Sequence, residues 1–223
     1  MKKFKIFVNF KTYQEASGLK AVALARICQQ LSNKNQAVEI IPIVQALDVW
    51  RIKEEVGIAP WLQHLDGYQS GQATGWINLE TALAAGAVGT LLNHSEHRIP
   101  PGTAKQVIKR TKAKKDVFKT AICVKTLGQV KKWSHFKADF LAFEAAELIG
   151  TNRSISREKP KAIRKALKIC QKRGLDLLVG AGISTAEDVY LAKKIGAAGI
   201  LVSSAVVLAE NQTKKLEELI TGV

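Results

Sequence analysis

The 223-residue sequence is short of acid and of cysteine, and it lacks any long apolar run; each shortage removes a class of protein. Its three cysteines, Cys28, Cys123 and Cys170, lie far apart in apolar or helix-like stretches, with no CxxC pair and no Cys/His cluster. Neither a disulfide framework nor a zinc site is expected, and buried reduced thiols are. No stretch approaches the ~18 consecutive apolar residues of a membrane-spanning helix, and Met1-Lys2-Lys3 leads straight into a short apolar run without a leader-peptide cleavage pattern. A cytoplasmic protein with no membrane partner is the expectation. No linker, low-complexity tract or break in composition divides the chain. With 47% apolar residues it can bury one substantial core, so a single domain over 1–223 is predicted.

Acidic residues number 19 against 34 lysines and arginines, a formal charge of +15. Such an excess invites anionic partners, nucleic acid among them. A nucleic-acid binder gathers its cations with interleaved aromatics on one face, whereas here they are spread. The densest runs, 105–119 and 157–173, have helical spacing with apolar residues between, the pattern of solvated outer faces. No specific nucleic-acid partner is predicted; steering of a phosphorylated substrate is a modest by-product of the charge.

What the sequence does contain is alternation. Short β-branched or apolar runs at 4–9, 38–42, 61–65, 88–92, 117–123, 140–143, 177–179 and 199–202 are separated by amphipathic stretches such as 19–31, 45–55, 103–115, 159–172, 186–194 and 214–221. Repeated strand–helix units predict a parallel sheet, and eight of them close a (β/α)8 barrel. Such barrels take ~250 residues, so this one needs shortened helices and loops. The third and fifth crossovers are weak: 66–76 is rich in glycine and polar residues, and 126–133 spans barely two turns. A doubly wound sheet stays open as the alternative.

In parallel α/β folds, functional groups gather beyond the carboxyl ends of strands, and four polar clusters fall there. Asn9-Phe10-Lys11 follows the first run and puts an amide and an ammonium on one side, since alternate residues of a strand point the same way. Asn93-His94-Ser95-Glu96 follows the fourth. Glu144 follows the sixth in an apolar setting that disfavours its charge and lifts its pKa toward the range of a general base; Ile149-Gly150-Thr151 behind it resembles a mobile lid with exposed amides. Gly180-Ala181-Gly182-Ile183-Ser184 and Ser203-Ser204-Ala205 follow the seventh and eighth, where backbone amides and a helix amino terminus commonly hold phosphate. Gly180-Ala181-Gly182 lacks the later glycine of a dinucleotide fingerprint, and no metal cluster is evident.

These segments, in this order, resemble the signatures of triosephosphate isomerase, and Gln63-His64-Leu65-Asp66 with Gly71-Gln72-Ala73-Thr74-Gly75 resembles its short archaeal-type subfamily. The resemblance implies a TIM barrel that interconverts dihydroxyacetone phosphate and D-glyceraldehyde 3-phosphate, a step of glycolysis and gluconeogenesis, without a cofactor. It implies that Glu144 is the base, His94 the electrophile, Lys11 the electrostatic partner of phosphate and enediolate, Asn9 a donor to the substrate oxygen and Glu96 the group that positions Lys11. Ile149, Gly150, Gly182, Ser203 and Ser204 then stand at phosphate-contact positions.

Three departures concern the lid and the cradle: Ala145-Ala146 where a proline follows the family's glutamate, Asn152 for a common hinge glycine, and Ala205 for a glycine. A lid more mobile when open, and a higher KM, is expected from the two alanines. Another phosphate-binding barrel enzyme, such as a phosphoribosyl isomerase or aldolase, and a non-catalytic binding protein are the other readings. By analogy the chain forms a homodimer or homotetramer. Segment 66–76, with Tyr68 and Trp76, either docks on the neighbouring subunit or packs against its own barrel.

Overall fold

A computed structural model of the chain describes residues 2–114, 116–145, 148 and 153–223. Eight parallel strands pair in sequence order and close on themselves: β1 (Phe4–Asn9), β2 (Val38–Val44), β3 (Trp61–Leu62), β4 (Gly89–Leu92), β5 (Lys119–Val124), β6 (Phe140–Glu144), β7 (Asp176–Gly180) and β8 (Gly199–Val202). The barrel is the predicted one, and the doubly wound alternative falls because β8 pairs with β1 in the register Lys5↔Gly199 to Val8↔Val202. That closure needs a glycine: a Cβ at Gly199 would lie 2.3 Å from the Lys5 carbonyl oxygen.

Helices form the outer layer: α1 (Leu19–Lys34), α2 (Ala46–Val56), α3 (Leu79–Ala84), α4 (Pro101–Lys112), α5 (Leu127–Trp133), α6 (Ile155–Glu158), α7 (Pro160–Gln171), α8 (Ala186–Ile195), α9 (Ser204–Val207) and α10 (Gln212–Thr221). Their ends follow local chemistry. The Thr185 hydroxyl and Asp188 carboxylate form a reciprocal capping box at the start of α8. Asn78, Thr126, Ser154 and Asn211 each accept a backbone N–H at the start of α3, α5, α6 and α10. Prolines open α4 and α7. The two basic runs lie on α4 and α7 as expected: Val107, Ile108 and Thr111, and Ile163, Ala166 and Cys170, turn inward while the lysines face out. All three cysteines are buried free thiols, and burial pushes Cys28 and Cys170 up to about 12.

Most strand boundaries moved, by one or two residues at β2, β4, β6 and β7; those of β3 and β5 moved for a visible local reason. β3 is two residues long rather than five, because the chain leaves the sheet after Leu62 and the Gln63 side chain turns to bond another loop. β5 begins at Lys119 rather than 117, because the N–H groups of Val117 and Phe118 both turn back to the Lys114 carbonyl. The six-residue α3 and the four-residue α6 and α9 are too short to register as periodic patterns, and went unpredicted.

Inside the barrel a second core is built from alternate strand residues: Phe7, Ile41, Ile43, Trp61, Leu91, Ala121, Cys123, Phe140, Ala142, Leu178 and Leu201. Phe7, Trp61 and Phe140 meet with ring centroids 4.9, 5.5 and 6.0 Å apart and plug it. Above this plug the inward residues are smaller, and a space remains at the carboxyl end. The same period of two that points Phe7 and Phe140 inward points Asn9 and Glu144 inward.

Gly89 makes room for the plug: a Cβ there would sit 2.3 Å from the Trp61 ring. Gly89→Ala should therefore destabilise the protein by about 1–3 kcal/mol through overpacking, read as a lower Tm, and adding Trp61→Leu to it should recover part of the loss.

Candidate active site

At the carboxyl end of β1 the chain turns sharply. Lys11 has φ +50°, its N–H donates to Asn9 Oδ1 at 3.1 Å, and its carbonyl accepts from Gln63 Nε2 at 2.8 Å. These bonds hold a left-handed turn at a non-glycine residue, a conformation with an intrinsic penalty of about 1 kcal/mol. The turn sends the Lys11 side chain across the barrel mouth, where Nζ meets Glu96 Oε1 at 2.5 Å. Gln63 had no assigned role beyond its place in the subfamily segment, because a strand was expected over 61–65; the structure ends β3 at Leu62.

The loop after β4 is fixed in the same way. Asn93 has φ +59° and is 4% exposed. Its side chain donates to the Cys123 carbonyl at 2.8 Å and accepts from the Ile99 N–H at 3.3 Å, while its own carbonyl accepts from Arg98 Nη1 at 2.8 Å. His94 is thereby presented, buried, to the barrel axis. The Glu96 N–H donates to His94 Nδ1 at 3.2 Å. A backbone amide has no choice of role, so Nδ1 carries the lone pair and the neutral ring carries its proton on Nε2. The Glu96 carboxylate, 3.7 Å from Nδ1, is engaged by Lys11 instead.

Nε2 faces Glu144. His94 Nε2 and Glu144 Oε1 are 3.6 Å apart, and Glu144 is 5% exposed, with Oε2 buried and without a hydrogen-bond partner among the described residues. Burial pushes the Glu144 carboxyl above its ordinary value, opposed by His94, the Cys123 thiol, Arg98 and Lys11. Room for this side chain comes from Gly180 on the next strand, where a Cβ would stand 3.0 Å from Glu144 Cγ. The Cys123 thiol beneath it is held well above its ordinary value, by burial first and by the Glu144 carboxylate second.

Asn9, Lys11, His94 and Glu144 line a cavity of about 240 Å³ together with Gly182, Ser184, Ser203, Ser204, Ala205 and Lys215. Here Ala181 and Gly182 both have positive φ, +78° and +68°. A side chain at Gly182 is impossible, since its Cβ would fall 2.0 Å from the Arg153 carbonyl oxygen. The Ile155 N–H bonds the Ala181 carbonyl at 3.2 Å, so the chain returning from Glu144 is fastened to this loop. The Ser203 hydroxyl oxygen is buried and has no partner among the described residues.

The structure thus brings Asn9, Lys11, His94, Glu96, Glu144, Gly182, Ser203 and Ser204 to one end of the barrel. Ile149 and Gly150, and with them Ala146 and Asn152, lie outside the described residues; Ala145 is buried. No group of three or more metal-ligating side chains occurs among the described residues. A larger concavity of about 1120 Å³ opens at the opposite end, around Lys5, Lys119 and Asp176, away from the carboxylate–imidazole pair.

A closed (β/α)8 barrel with a buried carboxylate, a neutral imidazole and an ammonium around one small cavity has the make-up of a proton-transfer enzyme acting beside a carbonyl. The family model for triosephosphate isomerase matches residues 4–221. Similar proteins include the triosephosphate isomerases of Saccharolobus solfataricus, 41% identical over 97% of this chain and 95% of the relative, and of Methanothermus fervidus, 38% identical over 97% of each. That of Thermoplasma volcanium is 37% identical over 97% of this chain and 99% of its own. The chain belongs to the triosephosphate isomerase family.

Gly180→Ala should displace Glu144 without unfolding the barrel. A fall in kcat of about 10²-fold is expected, with the circular-dichroism spectrum unchanged.

Proposed function

We propose that the chain interconverts dihydroxyacetone phosphate and D-glyceraldehyde 3-phosphate, with Glu144 as the base. The observation that carries this reading is the Glu144–His94 pair: a desolvated carboxylate 3.6 Å from a ring nitrogen whose tautomer is set by the Glu96 amide. Ionised Glu144 takes a proton from C1 of the ketose, and the C–H electron pair moves into C1–C2 as the carbonyl becomes an enediolate oxygen. His94 Nε2–H donates to that oxygen, and the Lys11 ammonium and Asn9 amide stabilise its charge. Return of the proton from Glu144 to C2, with a hydroxyl proton passed between O1 and O2 through the imidazole, completes the aldose. Atoms and electrons balance without a cofactor.

Gly182, Ser203 and Ser204, with Ile149 and Gly150, are the proposed phosphate contacts. Glu96 holds Lys11 over the cavity, and Gln63 holds the turn that aims it. Removing any of these lengthens the path of the ammonium to the substrate.

Exposed apolar side chains elsewhere suggest self-association. Tyr68 and Trp76 stack with centroids 4.7 Å apart and stay half exposed, and Leu47 and Trp50 on α2 are also exposed. We place a homodimer or homotetramer contact at these side chains, since aromatics and leucine left in water are of the kind that anchors interfaces. The chain acts in the cytoplasm, where its buried thiols stay reduced. Among the described residues no helix is long and apolar enough to cross a membrane.

Four measurements test this reading. Coupled-assay turnover of glyceraldehyde 3-phosphate should be robust in the wild type and fall by about 10³-fold or more in Glu144→Ala; an inactive wild type would remove it. Because the base works ionised and its pKa is raised, kcat/KM should climb with pH along a limb lying above the ordinary carboxylate range. Stability carries the opposite sign: a raised folded pKa favours the protonated form, so ionised Glu144 weakens the fold at neutral pH. Glu144→Gln should accordingly raise Tm at neutral pH, and the gap should close as pH falls below the ordinary carboxylate value. Ala145→Pro stiffens the residue after Glu144 and should lower KM.

A further inference from the structure

We propose that Lys215 is an additional phosphate-binding residue, a second ammonium at the substrate's dianionic end beside Lys11, which also serves the reacting end. The proposal rests on the phosphate assignment above. Lys215 lies on α10, far from every segment that carried the family resemblance. Buried Leu216 and Leu219 seat that helix, and Asn211 caps its start. This phase leaves Lys215 at the lip of the barrel, three-quarters covered, where it lines the same cavity as Gly182, Ser203, Ser204 and Glu144.

Lys215 Nζ is surrounded by two acceptors and a cavity. Nζ donates to the Ser184 carbonyl at 3.3 Å, within the loop that carries Gly182, and to Glu218 Oε2 at 2.6 Å. An ammonium has three donors, so one N–H remains for an anion in the cavity. The first bond steers the charge toward the cradle. The second holds it partly neutralised by a carboxylate that is itself 42% exposed and therefore displaceable. Ser203, buried at its hydroxyl without a partner, is a second polar group in the same cavity that a phosphate oxygen would satisfy. An ammonium on a flexible stem can follow a bound dianion as a point charge.

Glu218 makes the idea separable from a packing role. If Lys215 acts on the phosphate by its charge, Lys215→Met and Glu218→Gln must move binding in opposite directions. Lys215→Met should raise KM and the inhibition constant of inorganic phosphate by the same factor, about fivefold, the weight of a partly exposed ion pair. The change in kcat should be smaller, and the rise of KM with salt shallower. Glu218→Gln should lower both constants, about twofold, and Lys215→Arg should keep them near wild type. Calorimetric binding of inorganic phosphate gives the same comparison without turnover.

Wild-type turnover and phosphate inhibition with an unchanged inhibition constant in Lys215→Met would overturn the role of Lys215 and leave the isomerase reading intact. So would a loss of Tm accompanied by a fall in kcat alone. A wild type that neither turns over nor binds inorganic phosphate would remove the phosphate assignment and this proposal together.

Discussion

Glu144 is a carboxylate kept almost entirely out of water with one oxygen unpartnered among the described residues, and the site is arranged around that fact. Burying an ionised carboxylate alone costs several kcal/mol. His94, the Cys123 thiol, Arg98 and Lys11 offset part of this, and none of them removes it. A carboxylate fully satisfied by hydrogen bonds would be a weak base. The neighbours therefore lie at distances that stabilise charge without quenching it: an imidazole at 3.6 Å rather than a guanidinium in bidentate contact. The strained turns at Lys11, Asn93 and Ala181 belong to the same arrangement, since each lies at a strand end and turns the chain at the rim of the cavity.

The period of two along the strands turns a stable barrel into a site. Phe140, Ala142 and Glu144 are successive inward residues of β6, large, small and ionisable from bottom to top. β1 reads Phe7 then Asn9, and Leu201 of β8 is followed by Ser203 just past the strand's end. Stability is concentrated at the aromatic end of the interior and chemistry at the other. The outer cluster, between strands and helices, carries most of the apolar burial and leaves the inner one free to be polar at its mouth.

Much of this was legible in the sequence because it is local. Strand parity, the order of polar clusters and the amphipathic phase of α1, α4, α7 and α10 all follow from spacing along the chain. So the barrel, Glu144, His94 and Lys11 could be placed before any coordinate was known. What escaped was non-local or too short. Gln63 acts by reaching across to the Lys11 carbonyl, and Lys215 by reaching from the last helix to the Ser184 carbonyl; neither contact has a signature in its own segment. β3 was overdrawn because the apolar character of Trp61-Leu62 returns at Leu65, while the pairing with β2 fades after the Gln63 N–H bond to the Val44 carbonyl and the Gln63 side chain turns to Lys11. Tyr68 and Trp76 neither sink into the barrel nor leave one another, which spacing alone did not distinguish.

The contact between Trp61 and Gly89 has a historical consequence. Across β3 and β4 these two positions are paired in register, Trp61 opposite Gly89, so the indole lies where any side chain at 89 would begin. Residue 89 cannot enlarge while residue 61 keeps its indole. Descendants of this barrel that enlarge residue 89 must first or simultaneously shrink residue 61, and in doing so they open the floor of the interior. The pair behaves as a ratchet on divergence, holding the lower half of the barrel still while the loops above it are free to acquire new residues.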